Sequence, residues 1–135
     1  MSGLAERQLA LVNALVLGTP VPSGFDAMLV VAARDALLGK RAAEVARAWP
    51  MLAASFGSSW PATFASWAAV RPTQGALRDG WDFARSTTLS DTAAAELAQR
   101  EANWRYNGSS APRRRWLPVS ALRLLLIRLS ANHVR

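Results

Sequence analysis

Cysteine is absent from the sequence, and histidine and lysine each occur once. Without cysteine there are no disulfides, no thiolate zinc sites and no cysteine nucleophile, which fits a reducing compartment. The lone histidine, His133, stands three residues from the end, where chains fray, and reads as a surface residue rather than a ligand. No Gly-x-Ser-x-Gly, H-E-x-x-H, P-loop or dinucleotide fingerprint occurs. Long apolar runs are missing as well: none reaches the roughly 18 residues of a membrane span. The N-terminal "LALVNALVLG" follows Glu6 and Arg7, is interrupted by Asn13 and leads into "TPVPSG", which has no small-x-small cleavage pattern; it reads as a helix, not a signal peptide. The expectation is a soluble, cytoplasmic chain that is not an enzyme, with no catalytic residues, no metal and no cofactor.

What is present is apolar and arginine-rich. With 135 residues, 51% hydrophobic and 19% charged, the chain suits a single core and lies far from the composition of disorder. Residues 1–101 carry nine Lys/Arg against all nine acids and are neutral. The whole net charge of +7 comes from Arg105, Arg113, Arg114, Arg115, Arg123, Arg128 and Arg135. An acidic partner is therefore to be sought at the C-terminal end. Fifteen of the sixteen bases are arginine, whose forks suit carboxylate, phosphate and aromatic faces.

Periodicity predicts helices through the body. Leu4–Leu17 places Leu4, Ala5, Leu9, Val12 and Val16 on one side and stops at Gly18 and Pro20. In the next segment Ser23 and Asp26 resemble a capping box. Phe25, Met28, Leu29, Ala32, Ala36 and Leu37 then form the apolar side, and Val45 and Trp49 continue it to Pro50. Gly39 leaves two helices or one kinked helix open. Short helices follow: Met51 to Phe56, closed by Gly57; one opened by Ser59 and Pro61, carrying Phe64, Trp67 and Ala68; and one carrying Leu77, Trp81 and Ala84, weakened by Gly80. Asp91 then caps "TAAAELAQREANWRY", with Leu97, Glu101 and Trp104 on one side and Gly108 as terminator. Asp79 and Asp82, beside Arg78 and Arg85, read as a solvated ion-pair cluster.

The last 25 residues differ. Pro112 and Pro118 pin "APRRRWLPV", and the run Arg123 to Leu129 favours a strand, with a helix capped by Ser120 as the competing reading. The fold class expected is mainly α: a compact multi-helix domain over 1–108, with a short C-terminal β-strand or hairpin in a basic extension over 109–135 that packs on the same domain.

Of six tryptophans, Trp49, Trp60, Trp67 and Trp81 sit on apolar helical stripes and are explained by burial. Trp104, Arg105, Tyr106, Arg113, Arg114, Arg115 and Trp116 form a different group, "WRYNGSSAPRRRW", with no acid in it. Arginine and aromatic residues are the types enriched at interface hot spots. Arginine stacked on tryptophan within the chain accounts for them equally well.

The stretches "KRAAEVARAWPMLAASFG", "FASWAAVRPTQGALRDGWDFA" and "REANWRYNGSSAPRRR" resemble a known family: the small partner domains of multinuclear non-heme iron-dependent oxidases related to the methanobactin-forming enzyme, in the actinobacterial form fused to the C-terminal side of the oxidase or encoded beside it. The wider group of such helical domains carries an old DNA-binding label. The resemblance runs over roughly residues 5–118 and rests mostly on packing residues. It implies a non-catalytic accessory protein that docks on the TIM-barrel oxidase as a heterodimer and helps to hold a ribosomal precursor peptide, the iron ligands belonging to the oxidase. In better-known partners a small β-containing C-terminal portion is associated with peptide recognition; here that portion is abbreviated, and Asn107 stands where the family pattern leads one to expect an acid. The site expected to bind the partner is the group Trp104 to Tyr106 and Arg113 to Trp116. The alternative function is a small basic DNA-binding protein gripping phosphates without reading sequence. Against it, a neutral body offers no basic recognition helix. Membrane-surface binding by "LRLLLIRL" is weaker still, because its faces are poorly segregated.

Overall fold

The computed structural model describes residues 3–116. They form six α-helices, α1 Leu4–Leu17, α2 Ala27–Ala48, α3 Pro50–Phe56, α4 Trp60–Ala68, α5 Ala76–Ser86 and α6 Asp91–Asn103, with a 3₁₀ turn at Gly57–Ser59. Two short antiparallel strands follow, β1 Trp104–Arg105 and β2 Arg113–Arg114. The chain is mainly α with a short hairpin, as expected. The strand expected over Arg123 to Leu129 lies outside the described residues. Two units, Met1–Gln99 and Arg100–Arg135, divide the chain within α6.

In the first unit α2 is the central element and packs against α1, α3, α4 and α5. Its start is set by Asp26, whose Oδ1 accepts from the Met28 and Leu29 amides at 2.9 and 3.3 Å; the cap is thus Asp26 itself and not a box built on Ser23. Gly39 neither ends nor divides the helix, because packing along Leu38, Ala42 and Val45 outweighs its poor propensity. Pro50 then occupies the first turn of α3, and the Glu96 carboxylate accepts from the Met51 and Leu52 amides at 2.7 and 3.4 Å. At the start of α6, Ser90 is the cap: its Oγ accepts from the Ala93 amide, and Asp91 is the first helical residue.

The core is aromatic. Phe83 of α5 meets Phe56, Trp60, Phe64 and Trp67 at centroid distances of 5.2 to 6.0 Å. Two of the indoles are tied down by their polar tips: Trp60 Nε1 donates to the Ala42 carbonyl at 2.9 Å and Trp49 Nε1 to the Leu77 carbonyl at 3.0 Å. Trp49 also meets Trp81 edge-on at 5.6 Å. Gly80 is needed here for space, since a Cβ at that position would lie 2.2 Å from Trp49 Cδ1. The residue that weakens α5 by propensity is the one that lets α5 lie against the Trp49 ring.

Three sequence expectations are corrected. Asp79 is not part of a solvated cluster: it is buried and paired with Arg41 of α2 at 3.3 Å. Arg41 also donates to the carbonyls of Ala68 and Arg71, and Asp79 accepts from Thr73 Oγ1 at 2.9 Å and from the Gln74 amide at 3.0 Å. In α1 the stripe Leu4, Leu9 and Val12 faces outward, and Ala14 is the buried residue. In α2 the buried line is Val30, Leu38, Ala42 and Val45, while Met28, Leu29 and Leu37 are exposed. Both helices carry apolar residues on more than one side, so the 3.6-residue period alone did not select the inward one.

Three sets of variants test this packing. Gly80→Ala is expected to lower the urea midpoint by about 1 to 3 kcal/mol of stability through overpacking against Trp49. Gly39→Ala, where nothing lies within 4 Å of the added carbon, is expected to stabilise by about 0.5 to 1 kcal/mol. Removing one partner of the buried pair, as in Asp79→Ala, is expected to cost about 3 to 5 kcal/mol, whereas the apolar double variant Arg41→Met/Asp79→Leu recovers much of that loss. Equal losses in the single and double variants would show that the ionic contact is not what Asp79 contributes.

Candidate partner-binding site

In the second unit α6 ends at Asn103, five residues before the Gly108 terminator expected from sequence. The cause is Arg115: its amide donates to the Asn103 carbonyl at 2.8 Å, and its Nε donates to the carbonyls of Glu101 and Trp104 at 2.9 and 3.2 Å. A guanidinium at the C-terminus of a helix satisfies carbonyls that the next turn would otherwise take. Trp104 and Arg105 are released to pair as a strand.

The loop between the strands is organised by Asn107. Its Oδ1 accepts from the amides of Ser109 and Ser110, both at 3.0 Å, and from both serine hydroxyls at 3.1 Å. An aspartate could accept the same bonds, so Asn107 keeps the turn chemistry while removing a negative charge from an arginine-rich hairpin.

The register decides what the hairpin presents. Trp104 lies opposite Arg114, and Arg105 opposite Arg113. Directly opposed residues share a face. On one face Arg114 stands over the Trp104 ring at 5.8 Å, the intrachain stacking foreseen as one of the two readings. On the other, two exposed arginines oppose each other, an arrangement that costs the hairpin energy because like charges directly across a strand pair repel. Among the described residues neither Arg105 nor Arg113 forms an ion pair. These side chains, with Ala102, Arg114, Arg115 and Trp116, line an open cleft of about 420 Å³. Trp116 is 88% exposed, whereas Tyr106 is only 6% exposed and its ring is withdrawn from solvent. Five of the seven site residues expected from sequence therefore line one cleft, while Trp104 lies under the Arg114 guanidinium and Tyr106 is buried.

No group of three or more His, Cys, Asp or Glu side chains that could hold a metal occurs among the described residues. No helix among them is long and apolar enough to cross a membrane. The cleft offers forked donors and an exposed indole, groups suited to carboxylate or phosphate.

Comparison with known proteins places the body of the chain. Residues 5–89, more than half of the sequence, match the SCO6045-like C-terminal domain. This chain belongs to that family. A UPF0276 protein of Streptomyces avermitilis is 39% identical over 103 residues, 75% of this chain and 21% of the relative. The chain thus spans about a fifth of the length of that relative. No solved structure matches. The SCO6045-like match covers α1 to α5 and stops short of the hairpin, so the arginine cleft lies beyond the matched range.

The loop analysis yields a direct test. Asn107→Ala is expected to raise amide exchange at Ser109 and Ser110 by tenfold or more, the equivalent of about one to two hydrogen bonds. Asn107→Asp is expected to leave exchange there unchanged, read by NMR.

Proposed function

We propose that this chain is a non-catalytic accessory domain that docks on a larger enzyme and helps to bind an acidic stretch of that enzyme's peptide substrate. The observation that carries this reading is the opposed pair Arg105 and Arg113 in the cleft beside Trp116. Self-repulsion of that kind is relieved by an anionic ligand, and an exposed tryptophan supplies the apolar contact that peptide recognition uses. The docking part of the proposal is supported by the relative, about four fifths of which lies outside the matching region: there the domain is joined to a much larger polypeptide.

The specific enzyme class follows from the resemblance of "KRAAEVARAWPMLAASFG" and "FASWAAVRPTQGALRDGWDFA" to partner domains of multinuclear iron-dependent oxidases. On that basis the partner is a barrel oxidase, in a heterodimer or as part of the same chain, and the ligand is a ribosomal precursor peptide. The oxidase supplies the iron and the chemistry; this domain supplies positioning.

Affinity capture from the native host with the tagged chain is expected to retain a barrel oxidase. A fluorescent peptide rich in Asp and Glu is expected to bind the chain, with affinity falling at least tenfold in Arg105→Ala/Arg113→Ala. Random duplex DNA bound more tightly than the acidic peptide, with steep loss between low and moderate salt, would overturn the reading in favour of phosphate binding.

A further inference from the structure

Resting on the docking reading above, we infer that the surface by which this domain docks is the outward apolar face of α1 and the first half of α2, and that its occupant is the larger protein portion that accompanies the domain in the longer relative. The face is built from Leu4, Leu9 and Val12 of α1 and Met28, Leu29 and Val31 of α2, each at least half exposed and Met28 83% exposed. Along Ala27 to Gly39 the only charged residues are Arg34 and Asp35. Arg34 is half-buried and donates to the Ala69 carbonyl at 3.1 Å, leaving Asp35 as the one charge on the outer side. Apolar residues on both the buried and the exposed side of a helix mark a setting meant to be covered, and in the first half of α2 Met28, Leu29 and Val31 stay exposed although α2 packs against four other helices. Scattered exposed apolar residues would need no explanation, but six large ones on two packed helices do.

Two observations choose the occupant. The family is a C-terminal domain and its match begins at residue 5, so in the family's longer members the remaining polypeptide reaches the domain through α1, the helix that carries half of the face. About four fifths of the Streptomyces avermitilis relative is available to supply that cover. The counterpart surface is therefore apolar and nearly uncharged. Beside this face Leu37, itself exposed, helps to line a groove of about 180 Å³ with Leu15, Val16 and Leu38, whose other lining residues, Lys40, Arg41, Glu44 and Thr73, are polar or charged.

The test uses the full chain and, as probe, the Streptomyces avermitilis relative lacking its 103 matching residues, produced as a separate polypeptide. On mixing, amide exchange is expected to slow in α1 and in residues 27–37. Val12→Asp and Leu29→Asp, both at exposed positions and so expected to keep the helical circular dichroism of the parent, are expected to weaken the complex by at least ~30-fold, the effect of losing a hot-spot side chain. A complex whose affinity is unchanged by either variant would overturn the choice of surface and leave the docking reading standing. No complex with either the probe or a host oxidase would overturn both. Sedimentation of the isolated chain as a dimer that Val12→Asp dissociates would assign the face to a second copy and overturn the occupant proposed.

Discussion

The Arg41–Asp79 pair holds the first unit in register. One guanidinium on α2 takes the carbonyls of Ala68 and Arg71 at the end of α4, and the carboxylate it faces collects Thr73 and Gln74 from the connection to α5. A buried ion pair gives little net stability, because desolvation offsets most of the attraction. What it does here is commit the donors and acceptors of the segment before α5, the helix whose Gly80 lies against the Trp49 ring. The Trp49 Nε1 bond to Leu77 and the Phe83 ring cluster depend on that placement.

Local signals made the helices legible and non-local ones hid their faces. Gly18, Pro50, Gly57 and Pro61 act within a turn of where they stand, and the observed boundaries of α1, α3 and α4 follow them. Burial depends on which of several apolar sides meets a neighbour, and α2 offered two: Met28, Leu29 and Leu37, or Val30, Leu38, Ala42 and Val45. Asp79 was misjudged for the same reason. Its sequence neighbours Arg78 and Asp82 pointed to a surface cluster, whereas its partner lies 38 residues away.

At the hairpin the composition was informative and the register was not. The concentration of arginine and tryptophan after residue 103 stands out in any count of charges, and most of the residues it singled out do share one cleft. That Arg105 opposes Arg113 while Arg114 stacks on Trp104 depends on the loop length that Asn107 fixes and on Arg115 ending α6. Neither has a strong local signature, since an Asn-Gly pair suits several turns and the three consecutive arginines look alike until the strand separates them.

The two surfaces have different physical capacities. An apolar face gives attachment that salt hardly touches, because its driving force is the removal of carbon surface from water. A cleft of exposed arginines gives fast, salt-sensitive capture of an anionic ligand and readier release, since its attraction acts over about a Debye length and is screened beyond it. A domain that holds one partner lastingly and another transiently needs both. Lasting attachment assigned to the arginines would be lost at ordinary ionic strength, and capture assigned to the apolar face would not discriminate among peptides by charge. In α1 and the first half of α2 the charges are Glu6, Arg7, Arg34 and Asp35, whereas the hairpin carries the opposed arginines, so the two driving forces rest on different residues.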